Sequence, residues 1–112
     1  MEISVSKVNN VTVVAISGSV DGLTAADLST ALGAQLAAGN IQLVADFAKV
    51  EYTSSAGLRA LLGTTKDARR AGGDFRLASV RPDVHRVLEL SGFTSILKLF
   101  NDVDAAVASY GG

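Results

Sequence analysis

The chain has no cysteine and a single histidine in 112 residues, and only 5% of its side chains are aromatic. Without cysteine there is no disulfide, no thiolate metal site and no cysteine nucleophile. One histidine excludes a histidine-cluster metal site within one chain. Long apolar runs are missing too. The longest, Val13–Ile16 and Ala105–Ala108, are four residues each, against about 20 for a bilayer-spanning helix. The first residues, MEISVSKV, have neither the basic nor the apolar region of a signal peptide. Neither charge sign dominates, with ten basic residues against eleven acidic and a net charge of -1. That is no polybasic nucleic-acid binder, and the aromatics are too few for a base-stacking platform. The expectation is a cytoplasmic protein with no membrane or nucleic-acid partner.

What is present suits a folded domain. Hydrophobic residues make up 48% and charged residues 19%, which is globular rather than disordered. The length fits one domain over residues 1–112, long enough to bury roughly two-thirds of its unfolded surface.

Ile3 and Val5 alternate with polar neighbours, as in a half-buried strand. Asn9-Asn10 makes a two-residue turn, since asparagine tolerates positive φ. Val11–Ser17 is the returning strand, with Val13 to Ile16 apolar towards both faces. Gly18–Leu23 reads as a loop. Thr24 reads as a helix N-cap with Asp27 three residues on, and Leu23 as a staple against Leu28. That helix runs to about Ala38, burying Leu28, Ala31, Leu32 and Leu36, and Gly39-Asn40 ends it. Ile41–Phe47 is the third strand, followed by a polar loop. A second helix starts near Ser54-Ser55-Ala56-Gly57, with Leu58, Leu61, Leu62, Thr65 and Ala68 or Arg69 inward, and stops at Ala71-Gly72-Gly73. Phe75–Ala78 is a fourth strand. Pro82 suits a first helical position and Asp83 the helix dipole, with Val84, Val87 and Leu88 buried. Ser91-Gly92-Phe93 caps that helix, Ser95–Phe100 is a last strand, and Asp102–Tyr110 a last helix. A hairpin followed by βα units is an α/β fold whose sheet is mostly parallel.

Enzyme signatures are thin. No Gly-x-x-x-x-Gly-Lys phosphate loop occurs, and Gly18 to Gly22 lacks dinucleotide-binding spacing. A catalytic triad would need His85, which falls off the apolar stripe of its helix and reads as a solvated surface residue. Asp21 and Asp46 each fall near the carboxyl end of a strand, where open α/β sheets place ligands. An acid/base pair or a Mg²⁺ site is one reading, and a turn-forming aspartate at each position is the other. No metal site and no cofactor is expected.

Three hydroxyls, Thr53, Ser54 and Ser55, arrive together at a helix start. One suffices for a cap; the surplus is compatible with a phosphoacceptor, because free N–H groups and the dipole stabilise a phosphoryl group there. Gly57 then reads as leaving room for a close approach.

The stretch Ser54-Ser55-Ala56-Gly57-Leu58-Arg59 resembles the phosphorylation motif, commonly Asp-Ser-Ser/Thr-Gly-Leu-Gly, of STAS domains of the anti-sigma factor antagonist type. Gly18-Ser19-Val20-Asp21 with Thr24-Ala25 resembles the family's Gly-x-Leu/Ile-Asp after the second strand. Leu62-Gly63, Ala71-Gly72-Gly73 and Leu90-Ser91-Gly92-Phe93 continue the resemblance along essentially the whole chain. The resemblance implies the STAS fold, with helices mainly on one face of the sheet. It puts the phosphoserine at Ser55, with Ser54, the rival acceptor, where the family has aspartate, and Arg59 where it often has glycine. It implies a switch rather than an enzyme: the unphosphorylated form binds an anti-sigma factor that is also a serine kinase, phosphorylation releases it, and a PP2C-type phosphatase restores it. ATP and Mg²⁺ would belong to the kinase. Asp21, Thr24, Ser54 and the stripe Arg59, Gly63, Lys66 and Arg70 are the expected partner-binding residues, with Ala56 and Gly57 at the phosphate site, in a monomer. A non-phosphorylated STAS subunit of a bacterial lipid-transport ABC system is the first alternative, and a phosphate-handling enzyme using Asp21, Asp46 and Ser55 the second.

Overall fold

Asn9 takes a left-handed φ of 57° and closes a tight hairpin between β1 (Glu2–Val8) and β2 (Val11–Val20), paired in register from Val8↔Val11 to Glu2↔Ser17. The chain continues as α1 (Ala25–Ala37), β3 (Gln42–Thr53), α2 (Ser55–Arg70), β4 (Asp74–Ala78), α3 (Pro82–Leu90), a 3-10 turn at Phe93–Ser95, β5 (Lys98–Phe100) and α4 (Val103–Ala108). This computed structural model describes residues 1–111.

The five strands lie in the sheet in sequence order. β1 is antiparallel to β2, and all later pairs are parallel. Sequential parallel strands with crossovers of one hand put every crossover helix on the same face. Accordingly Leu28 and Leu32 of α1, Leu58 and Leu61 of α2, and Val84 and Leu88 of α3 share one core with Val14, Ile16, Phe47, Phe75 and Leu77. No crossover follows β5, so α4 is free of that constraint. It covers part of the other face, where Ala106 and Val107 pack on Val11, Val13, Val44 and Ala78. The expected α/β fold, with a hairpin, a mostly parallel sheet and helices mainly on one face, is the fold observed.

Four element boundaries differ from the sequence reading. β2 passes through Gly18 and ends at Val20. Gly18 has φ 99° and lies where the β2–β3 register shifts, so this glycine marks a bulge rather than a loop. β3 continues to Thr53, because residues 49–53 pair with the extended end of β2. β5 is three residues long, and the segment before it belongs to the 3-10 turn that follows Gly92 at φ 77°. α4 begins after Asp102, whose carboxylate accepts from the Ala105 amide at 2.7 Å.

A polar cluster fastens the chain's end. Asp74 is nearly buried and is bonded by Arg69 Nε at 2.8 Å and Arg76 Nε at 3.0 Å. The Arg76 guanidinium lies 3.9 Å from the Tyr110 ring centroid. The Tyr110 hydroxyl reaches the carbonyls of Leu43 at 2.7 Å and Asp74 at 2.8 Å. Thus the segment after α4 is pinned to β3 and β4.

Candidate functional site

The carboxyl end of β2 and β3 carries the loop into α1 and the first turn of α2. The Ser54 amide donates to the Val20 carbonyl at 2.8 Å, which fixes the start of α2 on the end of β2. Ser54 has extended backbone angles, and its hydroxyl accepts from the Gly57 amide at 3.3 Å. That is the N-cap arrangement. Ser55 is the first residue of the helix and is exposed, and its hydroxyl has no hydrogen-bond partner among the described residues. The Ser55 and Ala56 amides are first-turn donors without intrahelical partners, so the free hydroxyl stands beside free N–H groups at the positive end of α2.

Thr53 does not join it. As the last residue of β3 it is buried, with its hydroxyl 3.4 Å from the Ser54 carbonyl. The three hydroxyls therefore have three places: inside the sheet, on the cap, and free.

Gly57 is required for a different reason than room for a phosphoryl group. A Cβ there would stand 2.7 Å from the Val20 carbonyl oxygen and 2.9 Å from Val20 Cγ1, and closer still to Thr53 Oγ1. The missing side chain points into the sheet, so Gly57 lets α2 sit down on the end of β2.

Thr24 corrects a second expectation. It precedes α1 but has helical angles, φ -105° and ψ -15°, and its side chain makes no cap hydrogen bond to that helix. Instead its hydroxyl donates to the Ser19 carbonyl at 3.0 Å and accepts from the Asp21 amide at 2.9 Å. The Asp21 carboxylate accepts from the Leu23 amide at 2.9 Å and the Thr24 amide at 3.1 Å. The Leu23 amide, with those of the Thr24 amide and hydroxyl, holds the Asp21 carboxyl below the ordinary carboxylate range against a desolvation that opposes it. Asp21 and Thr24 thus lock the turn between β2 and α1. Leu23 does not staple to Leu28: it is 89% exposed, while Leu28 is fully buried.

Asp46 lies inside β3, opposite Ala15 and Ala78, with its carboxylate accepting from the Ala48 amide at 3.0 Å. Asp21 follows Val20 on the neighbouring strand. At about 3.3 Å per residue the two are about 20 Å apart along the sheet, so they form neither an acid/base pair nor a joint metal site. Both are turn or bulge aspartates. No group of three or more His, Asp or Glu residues able to hold a metal occurs among the described residues. His85 is half-buried rather than solvated and lines a cleft beside β5.

Arg59, Gly63, Lys66 and Arg70 follow Ser55 at steps of four, four, three and four, so they share its side of α2. Arg59, Lys66 and Arg70 are exposed. Arg70 stands 3.7 Å from Asp67, both exposed, which leaves that pair little energy, about 0–1 kcal/mol. Leu62, expected inward, is half-buried, and Ala60 and Thr64 are buried instead. Sequence reasoning missed Leu23 and Tyr52, exposed at 89% and 54%. Tyr52 pairs with Ser19, so both sit at the Ser55 end of the sheet. The one available signal was their position: apolar residues beside turn residues, outside any apolar period.

Residues 2–106 match the family model described as the STAS domain. The chain belongs to the STAS family. Its STAS domain is 34% identical over 110 residues to a protein named as an anti-sigma factor antagonist, BtrV, of Bordetella bronchiseptica, covering 98% of this chain and 95% of that one. The crystal structure of an anti-sigma factor antagonist from Mycobacterium paratuberculosis is 30% identical with a TM-score of 0.87, covering 96% of this chain and 92% of that one. A Thermotoga maritima crystal structure reaches a TM-score of 0.91 at 21% identity, covering 96% and 92% of the two chains, a likeness of fold. Within this STAS domain the expected motif falls on the first turn of α2, with Ser55 exposed and Gly57 and Leu58 buried.

Proposed function

We propose that this STAS protein is an anti-sigma factor antagonist working by partner switching, with Ser55 as the phosphoacceptor. The observation that carries it is the division between neighbouring serines: Ser54 caps α2 through its hydroxyl, and Ser55 stands exposed and unbonded. The unphosphorylated chain, as a monomer, binds an anti-sigma factor that is also a serine kinase, and a PP2C-type phosphatase reverses the modification. The chain itself is not an enzyme. The antagonist names of the relatives at 34% and 30% identity favour this reading over a lipid-transport subunit.

The physical chemistry gives the direction of the switch. A phosphoryl group adds about −1.5 to −2 charge at neutral pH. On the free protein the first-turn N–H groups and dipole of α2 accommodate it, with Arg59 one turn along the same side. In a complex the same group must be desolvated and meets any acid that the partner sets against the Arg59–Lys66–Arg70 stripe. A coupling of about 1–3 kcal/mol weakens such a complex roughly 5- to 150-fold. Leu23 and Tyr52 would supply apolar contact, and the Asp21–Thr24 turn holds Leu23 in place before binding, which lowers the ordering cost.

Titration calorimetry against the cognate anti-sigma kinase tests this. Ser55→Ala should bind like the wild type, and Ser55→Asp should bind more weakly, though less weakly than the phosphoprotein because a carboxylate has one charge and fewer acceptor oxygens. Equal affinity of the wild type and its phosphorylated form would refute the switch.

A further inference from the structure

We propose that the free edge of β5 is a second docking surface, which takes an extended acidic segment of a partner protein as an added strand. β5 is last in the sheet order, and α4 turns away over the far face, so no strand among the described residues pairs with its outer side. The Phe100 carbonyl accepts from the Ser79 amide at 3.1 Å and so points towards β4. Backbone groups alternate along a strand, so the Leu99 N–H and C=O point out from the sheet. An open edge of this kind is a template for another strand.

The edge lies in a groove. A cleft of about 710 Å³ is lined by Arg69, His85, Thr94, Ile96, Lys98 and Leu99 among others. A second of about 200 Å³ continues past His85 and Leu99 to Asn101. Arg69 and Lys98 give the groove its positive charge, and no carboxylate among the described residues lines either part. Asp74 behind the groove is nearly buried and is shared among Arg69, Arg76 and Lys98, at 2.8, 3.0 and 3.9 Å, so one carboxylate stands against three cations. Ile96, 38% exposed, adds an apolar contact at the rim.

Charge selects the occupant. The other free edge of the molecule, β1, carries Glu2 and Lys7, which cancel, so a second copy pairing through β1 does not match a basic groove. An acidic strand does: main-chain hydrogen bonds at Leu99 give the attachment, and alternate side chains reaching Lys98 and Arg69 give the selection. Arg69 lies near the far end of α2, about 20 Å along that helix from Ser55 at its 1.5 Å rise per residue. The two surfaces can therefore be occupied together.

The test is an amide NMR titration of the whole protein with acetyl-Glu-Val-Glu-Val-Glu-amide, its lysine counterpart, and an acidic version N-methylated at alternate residues. The acidic peptide should give saturable shifts centred on Leu99 and bind at least about threefold tighter than the lysine peptide. N-methylation should abolish binding. Lys98→Gln, with unchanged thermal unfolding, should weaken the acidic peptide about 1.5- to 5-fold. No saturable shift at β5, equal binding of the lysine peptide, or undiminished binding of the N-methylated one would overturn the proposal.

Discussion

The Ser54 hydroxyl accepts the Gly57 amide at 3.3 Å, so of two adjacent serines one is committed to the helix end and the other is not. Removing the cap should cost stability, and removing the free hydroxyl should not. Ser54→Ala is expected to lose about 0.5–2 kcal/mol, whereas Ser55→Ala should stay within about 0.5 kcal/mol of the wild type. Urea unfolding midpoints at constant slope measure both, and equal losses would contradict the assignment of the cap.

Gly57→Ala sets two effects against each other. Alanine is better than glycine inside a helix by about 1 kcal/mol. Against that, its Cβ would lie 2.7 Å from the Val20 carbonyl oxygen, a backbone atom that also accepts the Ser54 amide. Backbone cannot swing aside as a side chain can, so overpacking of about 1–3 kcal/mol should win. The variant should unfold at lower urea, and a stabilised Gly57→Ala would show that the first turn of α2 is looser than described.

The Thr24 hydroxyl bridges the Ser19 carbonyl and the Asp21 amide across the turn into α1. Thr24→Ala should cost about 0.5–2 kcal/mol at the typical worth of such bonds. Thr24→Ser keeps the hydroxyl and should recover most of the loss. A Thr24→Ser variant as unstable as Thr24→Ala would point to the methyl group rather than the bridge.

Asp74 and Tyr110 predict the pH limits of the fold. Burial works against ionisation of Asp74, but the Arg76 side chain, the Phe75 amide and Arg69 together hold its carboxyl below the ordinary value. Its stabilisation is complete above the unfolded value, about pH 4, and is lost as the pH falls through the lowered native one. Burial, reinforced by Asp74 and opposed by Arg76, raises the Tyr110 hydroxyl well above its usual value. That contribution is complete below about pH 10 and is lost as the pH rises beyond it. Chemical unfolding at a series of pH values should show both slopes, and Tyr110→Phe should flatten the alkaline one. An unchanged alkaline slope in Tyr110→Phe would assign it to another group.

The strand and helix order was legible because the apolar spacing marks the elements: Leu28 and Leu32 are buried on one helix face, and Ile3 and Val5 alternate on one strand although only Ile3 packs on the core and Val5 is exposed. Residues 48–53 were not, because β3 pairs there only with the extended end of β2 and four of the six residues are exposed, with Val50 and Thr53 buried at a spacing of three that does not read as strand alternation. Gly18 resembled a turn because a bulge also needs positive φ. Ser55 was legible through the motif it shares with a family. The different fates of Thr53, Ser54 and Ser55 were not, since they depend on where Val20 lies, a residue distant in sequence. The same holds for Gly57, whose missing side chain answers to Val20 and Thr53 rather than to a ligand.

The most direct test is site-resolved mass spectrometry of the wild type, Ser54→Ala and Ser55→Ala after incubation with the cognate anti-sigma kinase and ATP. One phosphoryl group should appear on Ser55 in the wild type and in Ser54→Ala, and none on Ser55→Ala. Phosphate on Ser54, or undiminished labelling of Ser55→Ala, would contradict the account.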